Sequence, residues 1–155
     1  MPHLSATEIR PAGAQDATAI RELTRAAYAR WVPVIGREPL PMTADYERAL
    51  REHAFDLLFA DGRMVALIET RLEPDHLWIE NVAVSPDHQG KGYGRRLLAL
   101  AERKAAEAGL RTIRLLTNGA FAANIALYAR LRYVISKREP FMGGVAVHMS
   151  KTVGP

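Results

Sequence analysis

The stretch Val82-Ala83-Val84-Ser85-Pro86-Asp87-His88-Gln89-Gly90-Lys91-Gly92-Tyr93-Gly94-Arg95-Arg96-Leu97-Leu98 joins a β-branched strand, a basic turn with alternating glycines and the opening of an amphipathic helix. A helix N-terminus presents unpaired backbone N–H groups and the positive end of the helix dipole, so an anion settles there when no side chain blocks it. Gly90, Gly92 and Gly94 leave the approach clear, and the segment reads as a phosphate cradle.

Spacing decides which ligand the cradle suits. Counted from Gly90, a dinucleotide fingerprint needs its third glycine where Arg95 stands, and about 20 residues further on it needs a ribose-binding acid where the chain has Arg111 and Arg114. A loop of the form G-x-x-x-x-G-K-[ST] needs glycine at Ser85 and a hydroxyl at Gly92. What remains is Gln-x-x-Gly-x-Gly, from Gln89 through Gly92 to Gly94, behind the strand Asn81-Val82-Ala83-Val84 and ahead of Arg95-Arg96-Leu97-Leu98. This pattern resembles the acetyl-CoA signature of the GCN5-related N-acetyltransferases.

Working outward, Thr7 to Arg10 reads as a short first strand, and Ala14 to Arg30 as a helix with Ile20, Leu23 and Ala27 at helical spacing. Trp31 to Met42 holds Pro33, Pro39 and Pro41 around Gly36 and reads as a stiffened loop. Thr43 is the expected cap of a second helix that carries Tyr46, Ala49 and Leu50 and ends near His53. Phe55–Ala60 and Met64–Leu72 flank Asp61-Gly62, a tight hairpin turn, and Leu77–Val84 follows as the next antiparallel strand. Beyond the glycine turn come a helix closed by Gly109, a buried strand Thr112–Thr117, a helix Ala122–Arg132, and closing strands Tyr133–Arg138 and Val145–Lys151 around Gly143-Gly144. The order βααβββαβαββ predicts an α/β (α+β) fold with a mixed, mostly antiparallel central sheet flanked by helices.

Composition narrows the function classes. The 155 residues suit one domain, so 1–155 is read as a single N-acetyltransferase domain. Lys and Arg number 21 against 17 Asp and Glu, yet the basic residues are scattered apart from Lys91, Arg95 and Arg96, which argues for a solvated surface and against nucleic acid as partner. With no cysteine, the chain has no disulfide, no thiolate zinc site and no acyl-cysteine intermediate. Met1 to Ile9 lacks a leader pattern and no run approaches about 18 apolar residues, so a cytoplasmic protein without a membrane partner is expected. None of the histidines pairs with another at i, i+3 or i+4, and no metal is expected.

The resemblance covers almost the whole chain and is strongest from Glu80 to Tyr133. It implies that the strand before the glycine turn splays from its neighbour and that its main chain, at Val82, Ala83 and Val84, holds the pantetheine arm and thioester. It further implies that Gln89, Gly90, Lys91, Gly92, Tyr93, Gly94 and Arg95 hold the diphosphate. Asn124 and Tyr128 project from one helix face, and the likeness makes Asn124 a cofactor contact and Tyr128 the acid that protonates the departing thiolate. Alternation puts Glu80 on the face of Val82 and Val84, which makes it the favoured base, with Glu69 or His76 able to substitute. The implied acceptor groove lies between the first two helices, with Tyr28, Trp31, Arg37, Pro39, Met42 and Tyr46 as its wall, and the acceptor is a small-molecule or peptide amine. A homodimer built on a closing strand or helix is common among such proteins.

The implied reaction is direct attack of the amine on acetyl-CoA in a ternary complex. An alternative from another class is a non-catalytic acyl-CoA sensor or interaction module, which would keep Gln89 to Gly94 and could dispense with Glu80 and Tyr128. One departure stands out: Arg132 precedes Tyr133 where such proteins usually have glycine. If position 132 takes a positive φ, arginine is strained there.

Overall fold

A computed structural model describes residues 6–154; the leader reading on Met1 to Ile9 therefore lies partly outside the described residues. Strands β1 (Thr7–Pro11), β2 (Ala54–Ala60), β3 (Arg63–Leu72), β4 (Leu77–Val84), β5 (Thr112–Asn118), β6 (Val134–Phe141) and β7 (Gly144–Thr152) form one sheet in the order β1-β2-β3-β4-β5-β7-β6. Every neighbouring pair is antiparallel except β4 and β5. The helices are α1 (Ala17–Tyr28), α2 (Val32–Ile35), α3 (Tyr46–Glu52), α4 (Tyr93–Glu107) and α5 (Ala122–Arg130). None is long and apolar enough to cross a membrane.

Each face of the sheet has its own core. On one, Leu97, Leu98, Ala101 and Ala105 of α4 bury against Leu77, Ile79, Ile113 and Leu115, with Tyr128 and Tyr133 closing the end. On the other, Ile20, Leu23 and Ala27 of α1 and Tyr46 of α3 cover Phe55, Leu57, Leu67 and Ala83. Each fully buried large side chain contributes about 1.5–3 kcal/mol, and the helical spacing of those on α1 and α4 is what fixes the two helices to their faces.

Local details depart from the expectations in instructive places. The helix expected over 14–30 is divided into a 3₁₀ turn (Ala14–Asp16), α1 and a second 3₁₀ turn (Ala29–Trp31). The proline-rich loop holds the single-turn α2, closed by Gly36 at φ 75°, and another 3₁₀ turn, Leu40–Met42. Thr43 does not cap the next helix: its hydroxyl donates to Leu40 O at 3.3 Å, while Asp45 accepts the Arg48 N–H at 3.1 Å as the cap. Both residue types suit that role, and the 3₁₀ turn has already engaged Thr43. Helix α5 stops at Arg130, and the closing hairpin turns on Met142-Gly143, so β6 runs to Phe141 and not to Arg138.

Three turns among the described residues place a non-glycine residue at positive φ: Asp61, Arg132 and Met142. Asp61 and Gly62 both have positive φ, 50° and 81°, as a two-residue hairpin turn requires. Arg132 takes φ 73° in the turn that brings the Tyr133 N–H to Tyr128 O at 2.9 Å, and a non-glycine residue there costs about 1–2 kcal/mol. Arg132→Gly is therefore expected to stabilise the fold by about 1 kcal/mol in urea unfolding; an unchanged or lower midpoint contradicts this.

At the start of α1, Asp16 is buried, accepts the Gly13 N–H at 2.8 Å and meets Arg10 at 3.0 Å. The Arg10 guanidinium, more than any other group, holds its carboxyl below the ordinary value. A depressed folded value means that this contribution is present above the unfolded carboxyl's pH of about 4 and lost as pH falls through the folded one. Asp16→Asn should flatten the acid limb of the stability profile in that window, read by thermal melts; an identical limb contradicts the assignment.

Candidate active site

The parallel pairing of β4 with β5 is confined to Leu77–Ile79 against Ile113–Leu115. Beyond Ile79 the strands diverge, and the β4 edge from Glu80 to Val84 faces a gap instead of a partner strand. The divergence starts at a bulge: Thr70 opposes Ile79 while Glu69 opposes Asn81, so Glu80 is an extra residue in the ladder. A bulge bends its strand and resets the alternation of side chains. Past the gap, Tyr28 at the end of α1 and Phe121 at the start of α5 approach to 6.2 Å between ring centroids, and Trp31 stacks on Phe121 at 4.6 Å.

Two cavities meet at this gap. The first, about 290 Å³, is bounded by Tyr28, Tyr46, His53, Glu69, Glu80 and Asn81 on one side and by Leu115–Asn118, Phe121, Asn124 and Tyr128 on the other. The second, about 410 Å³, lies against the glycine turn, with Val82–Val84, Gln89, Gly90, Gly92–Arg95 and Trp31 among its walls. Tyr28, Val82, Asn124 and Tyr128 border both.

The glycine turn gives the second cavity its chemistry. Gly90 and Gly92 sit at φ 80° and 82°, and a Cβ at either would meet nothing, so glycine serves backbone conformation there and not room. Gly94 is different: it is helical, and a Cβ would lie in ordinary contact with Val84 at 3.6 Å. Gly92 is the N-cap of α4 with no side-chain cap and no acidic residue in the first turn, and the Arg96 N–H reaches back to Gly92 O at 3.0 Å. The N–H groups of Tyr93, Gly94 and Arg95 therefore point out of the helix with no intrahelical partner. Gln89 bridges the turn, donating to Val84 O and accepting from Arg30, each at 3.3 Å. Tyr93 itself is buried in the core below the turn, and Lys91 is exposed and outside the cavity.

In the first cavity the polar groups are paired in a defined pattern. Tyr28 donates to Asn81 Oδ1 at 2.8 Å, while Asn81 Nδ2 is buried without a partner. Glu69 is only 4% exposed and meets His53 Nδ1 at 2.6 Å. Burial raises the Glu69 carboxyl above its ordinary value, against the pull of His53. Glu80 accepts the Trp78 indole N–H at 2.6 Å and faces Arg71 at 3.5 Å. Tyr46 donates to Pro41 O at 2.6 Å. The Tyr128 hydroxyl makes no hydrogen bond among the described residues, and burial pushes it up to about 12.

Several site expectations need correction. The bulge places Glu80 with Trp78 and Arg71, not on the face of Val82 and Val84, which pack toward the α4 core. Met42 is buried beneath the 3₁₀ turn, its carbonyl accepting from Arg25, and borders neither cavity. Trp31 lines the second cavity and not the first. His76 pairs with Asp75 at 2.6 Å and lies outside both. The residues that sequence reasoning passed over are His53, Asn81 and Phe121. A signal for His53 existed: a two-residue turn at 61–62 pairs positions whose numbers sum to 123, which sets residue 53 opposite 70 and next to 69; the irregularity at Leu58/Phe59 shifts this by one, so that Ala54 opposes Thr70. Among the described residues no group of His, Cys, Asp or Glu could hold a metal ion.

Comparison with known proteins bears directly on this sheet, splayed beside a glycine turn that opens a helix. The profile of the Acetyltransferase (GNAT) family matches residues 18–133, and the chain belongs to that family. The [ribosomal protein bS18]-alanine N-acetyltransferase of Escherichia coli strain K12 is 36% identical over 76 residues, 49% of this chain and 51% of that protein. The chain thus spans about half the length of the curated relatives it matches. The crystal structure of the Escherichia coli ribosomal-protein-S18-alanine N-acetyltransferase superposes with a TM-score of 0.79 at 24% identity, covering 97% of this chain and 96% of that one. A PaiA N-acetyltransferase from Thermoplasma acidophilum, in complex with coenzyme A, gives 0.82 at 20% identity, covering 95% and 99%.

The two kinds of glycine separate in a simple experiment. Gly92→Ala should lower stability by about 1 kcal/mol or more because alanine resists φ 82°, whereas Gly94→Ala should hold or raise it, alanine being the better helix former. Urea midpoints test this, and equal losses at both positions would contradict it.

Proposed function

We propose that the chain is an N-acetyltransferase that moves an acetyl group from acetyl-CoA to a small-molecule or peptide amine by direct attack in a ternary complex. The observation that carries this reading is the meeting of the two cavities at Tyr128 beside the unpaired β4 edge. One cavity ends on an uncapped helix N-terminus suited to a diphosphate; the other is walled by carboxylates suited to an ammonium group.

In this reading the β4 main chain over Val82, Ala83 and Val84, which has no β5 partner, runs along the pantetheine arm as a neighbouring strand would, with the groups of Val82 and the Val84 N–H turned toward it. Turn residues Gln89 to Gly92 and the N–H groups of Tyr93, Gly94 and Arg95 hold the diphosphate, with Lys91 and Arg95 adding charge at the rim. Asn124 steadies the arm where the cavities join. The thioester lies beside Tyr128, whose hydroxyl, pushed up to about 12, stays protonated at neutral pH and can give its proton to the departing thiolate. Tyr28 and Tyr46 shape the acceptor side, and Glu80 supplies the negative charge that draws the amine in. Fixing both reactants in one gap supplies orientation, and the unpaired N–H groups stabilise the oxyanion. The curated relative is named for an alanine of ribosomal protein bS18, which supports a peptide amine as one acceptor class.

A thermal shift with acetyl-CoA, followed by thiol release across an amine panel, tests the reading. Acetyl-CoA should stabilise the protein, and Tyr128→Phe should lower turnover by about 10²-fold or more while acetyl-CoA affinity holds. Stabilisation by NAD alone, or equal turnover in mutant and parent, would contradict it.

A further inference from the structure

We propose that His53 accepts the proton of the attacking amine and that Glu69 is the residue that positions it; this rests on the acetyltransferase reading above. His53 is the C-cap of α3, where the chain turns into β2, and its side chain reaches the acceptor cavity. Its Nδ1 lies 2.6 Å from Glu69 Oε2. Glu69 sits on β3 directly opposite Asn81, the β4 residue that follows the bulge. A buried carboxylate whose sole hydrogen-bond partner among the described residues is an imidazole fixes that imidazole's orientation and tautomer. The carboxylate accepts from Nδ1–H, which leaves Nε2 unprotonated. Nε2 has no partner among the described residues and is not sealed from the cavity.

Glu80 is less suited to the same task. Its carboxylate already accepts from the Trp78 indole and faces Arg71, so its oxygens are engaged. It attracts the ammonium, and His53 removes the proton. The groups around the dyad are Glu52 on α3, Glu80 on β4, Arg71 on β3, Arg37 from the loop after α2, and the hydroxyls of Tyr28 and Tyr46.

The step balances as follows. The bound ammonium first gives one proton to His53 Nε2, directly or through a cavity water, and the ring passes it to solvent; the freed amine nitrogen then bonds to the acetyl carbonyl carbon and gives its second proton to His53 Nε2. The C–S bond breaks, and the thiolate takes the Tyr128 proton. Tyr128 is reprotonated from solvent, and the imidazolium returns its proton to solvent.

The test uses the full chain with acetyl-CoA and three probe amines: spermidine, phenylethylamine and an alanine-initiated peptide. With whichever amine the parent acetylates, His53→Gln should lower kcat/KM at pH 7 by about 100-fold or more, with acetyl-CoA affinity and melting temperature unchanged. The loss should shrink as pH approaches the amine's own pKa. Glu69→Gln should lower kcat/KM less and weaken the ring's preference for the Nδ1–H tautomer, because the carboxylate that accepts from Nδ1 is gone. NMR of the parent's His53 ring should show the Nδ1–H tautomer at neutral pH. Should Glu69→Gln fail to fold, His53→Asn with the tautomer measurement carries the test. An Nε2–H tautomer, or full activity in His53→Gln with the acid limb abolished by Glu80→Gln, overturns this role and leaves the acetyltransferase reading standing. Acetyl-CoA binding without turnover of any amine overturns both.

Discussion

The structure depends on where the pairing of β4 and β5 stops. A parallel pair normally continues for the length of the shorter strand, yet here it ends at Ile79 and Leu115. The bulge at Glu80 is the local cause: an added residue bends β4 away from β5 and turns Asn81 toward Tyr28. Backbone N–H and C=O groups left unpaired in a partly enclosed gap cost about 1–3 kcal/mol each unless water or a ligand satisfies them. A strand edge exposed in this way, inside the molecule and not at its rim, is a place built for an extended ligand with amide groups of its own. The cores on the two faces of the sheet make the opening tolerable, since α1 and α4 are anchored by β2, β3 and the paired part of β4.

The second constraint is electrostatic and sits at the end of the same strand. β4 runs into a turn with positive φ at Gly90 and Gly92, and that turn aims the first amides of α4 at the cavity. No acid in the first turn of the helix competes for them. The first cavity has the opposite character, with Glu69 and Glu80 on its wall. One gap therefore presents unpaired amides at one end and carboxylates at the other, and Tyr128 borders both cavities.

Much of this was legible in the sequence. The strand order up to β4, the hairpin at Asp61-Gly62, the glycine turn and the Asn124–Tyr128 face all follow from periodicity and turn chemistry. The bulge was not read, although Leu77-Trp78-Ile79-Glu80-Asn81-Val82-Ala83-Val84 contains its trace: two adjacent polar residues interrupt the alternation. Taking the alternation as unbroken is what put Glu80 on the wrong face. Met42 and Trp31 were misplaced because a loop made of short turns is positioned by tertiary contacts, such as Arg25 on Met42 O and Phe121 on Trp31, that no local pattern reveals. The family's usual glycine is replaced by Arg132, which nonetheless adopts the positive φ that position requires; tertiary packing around Tyr128 and Tyr133 overrides the backbone preference.

The most direct measurement of the central claim is an amide NMR titration of the full chain with coenzyme A. The account places the diphosphate on the amides of Gly92 to Arg95 and the pantetheine arm along Val82 to Val84, so those signals should shift together and saturably, with the outer strand β6 unmoved. Shifts confined to other surfaces, with the glycine turn and the free edge of β4 silent, would contradict it.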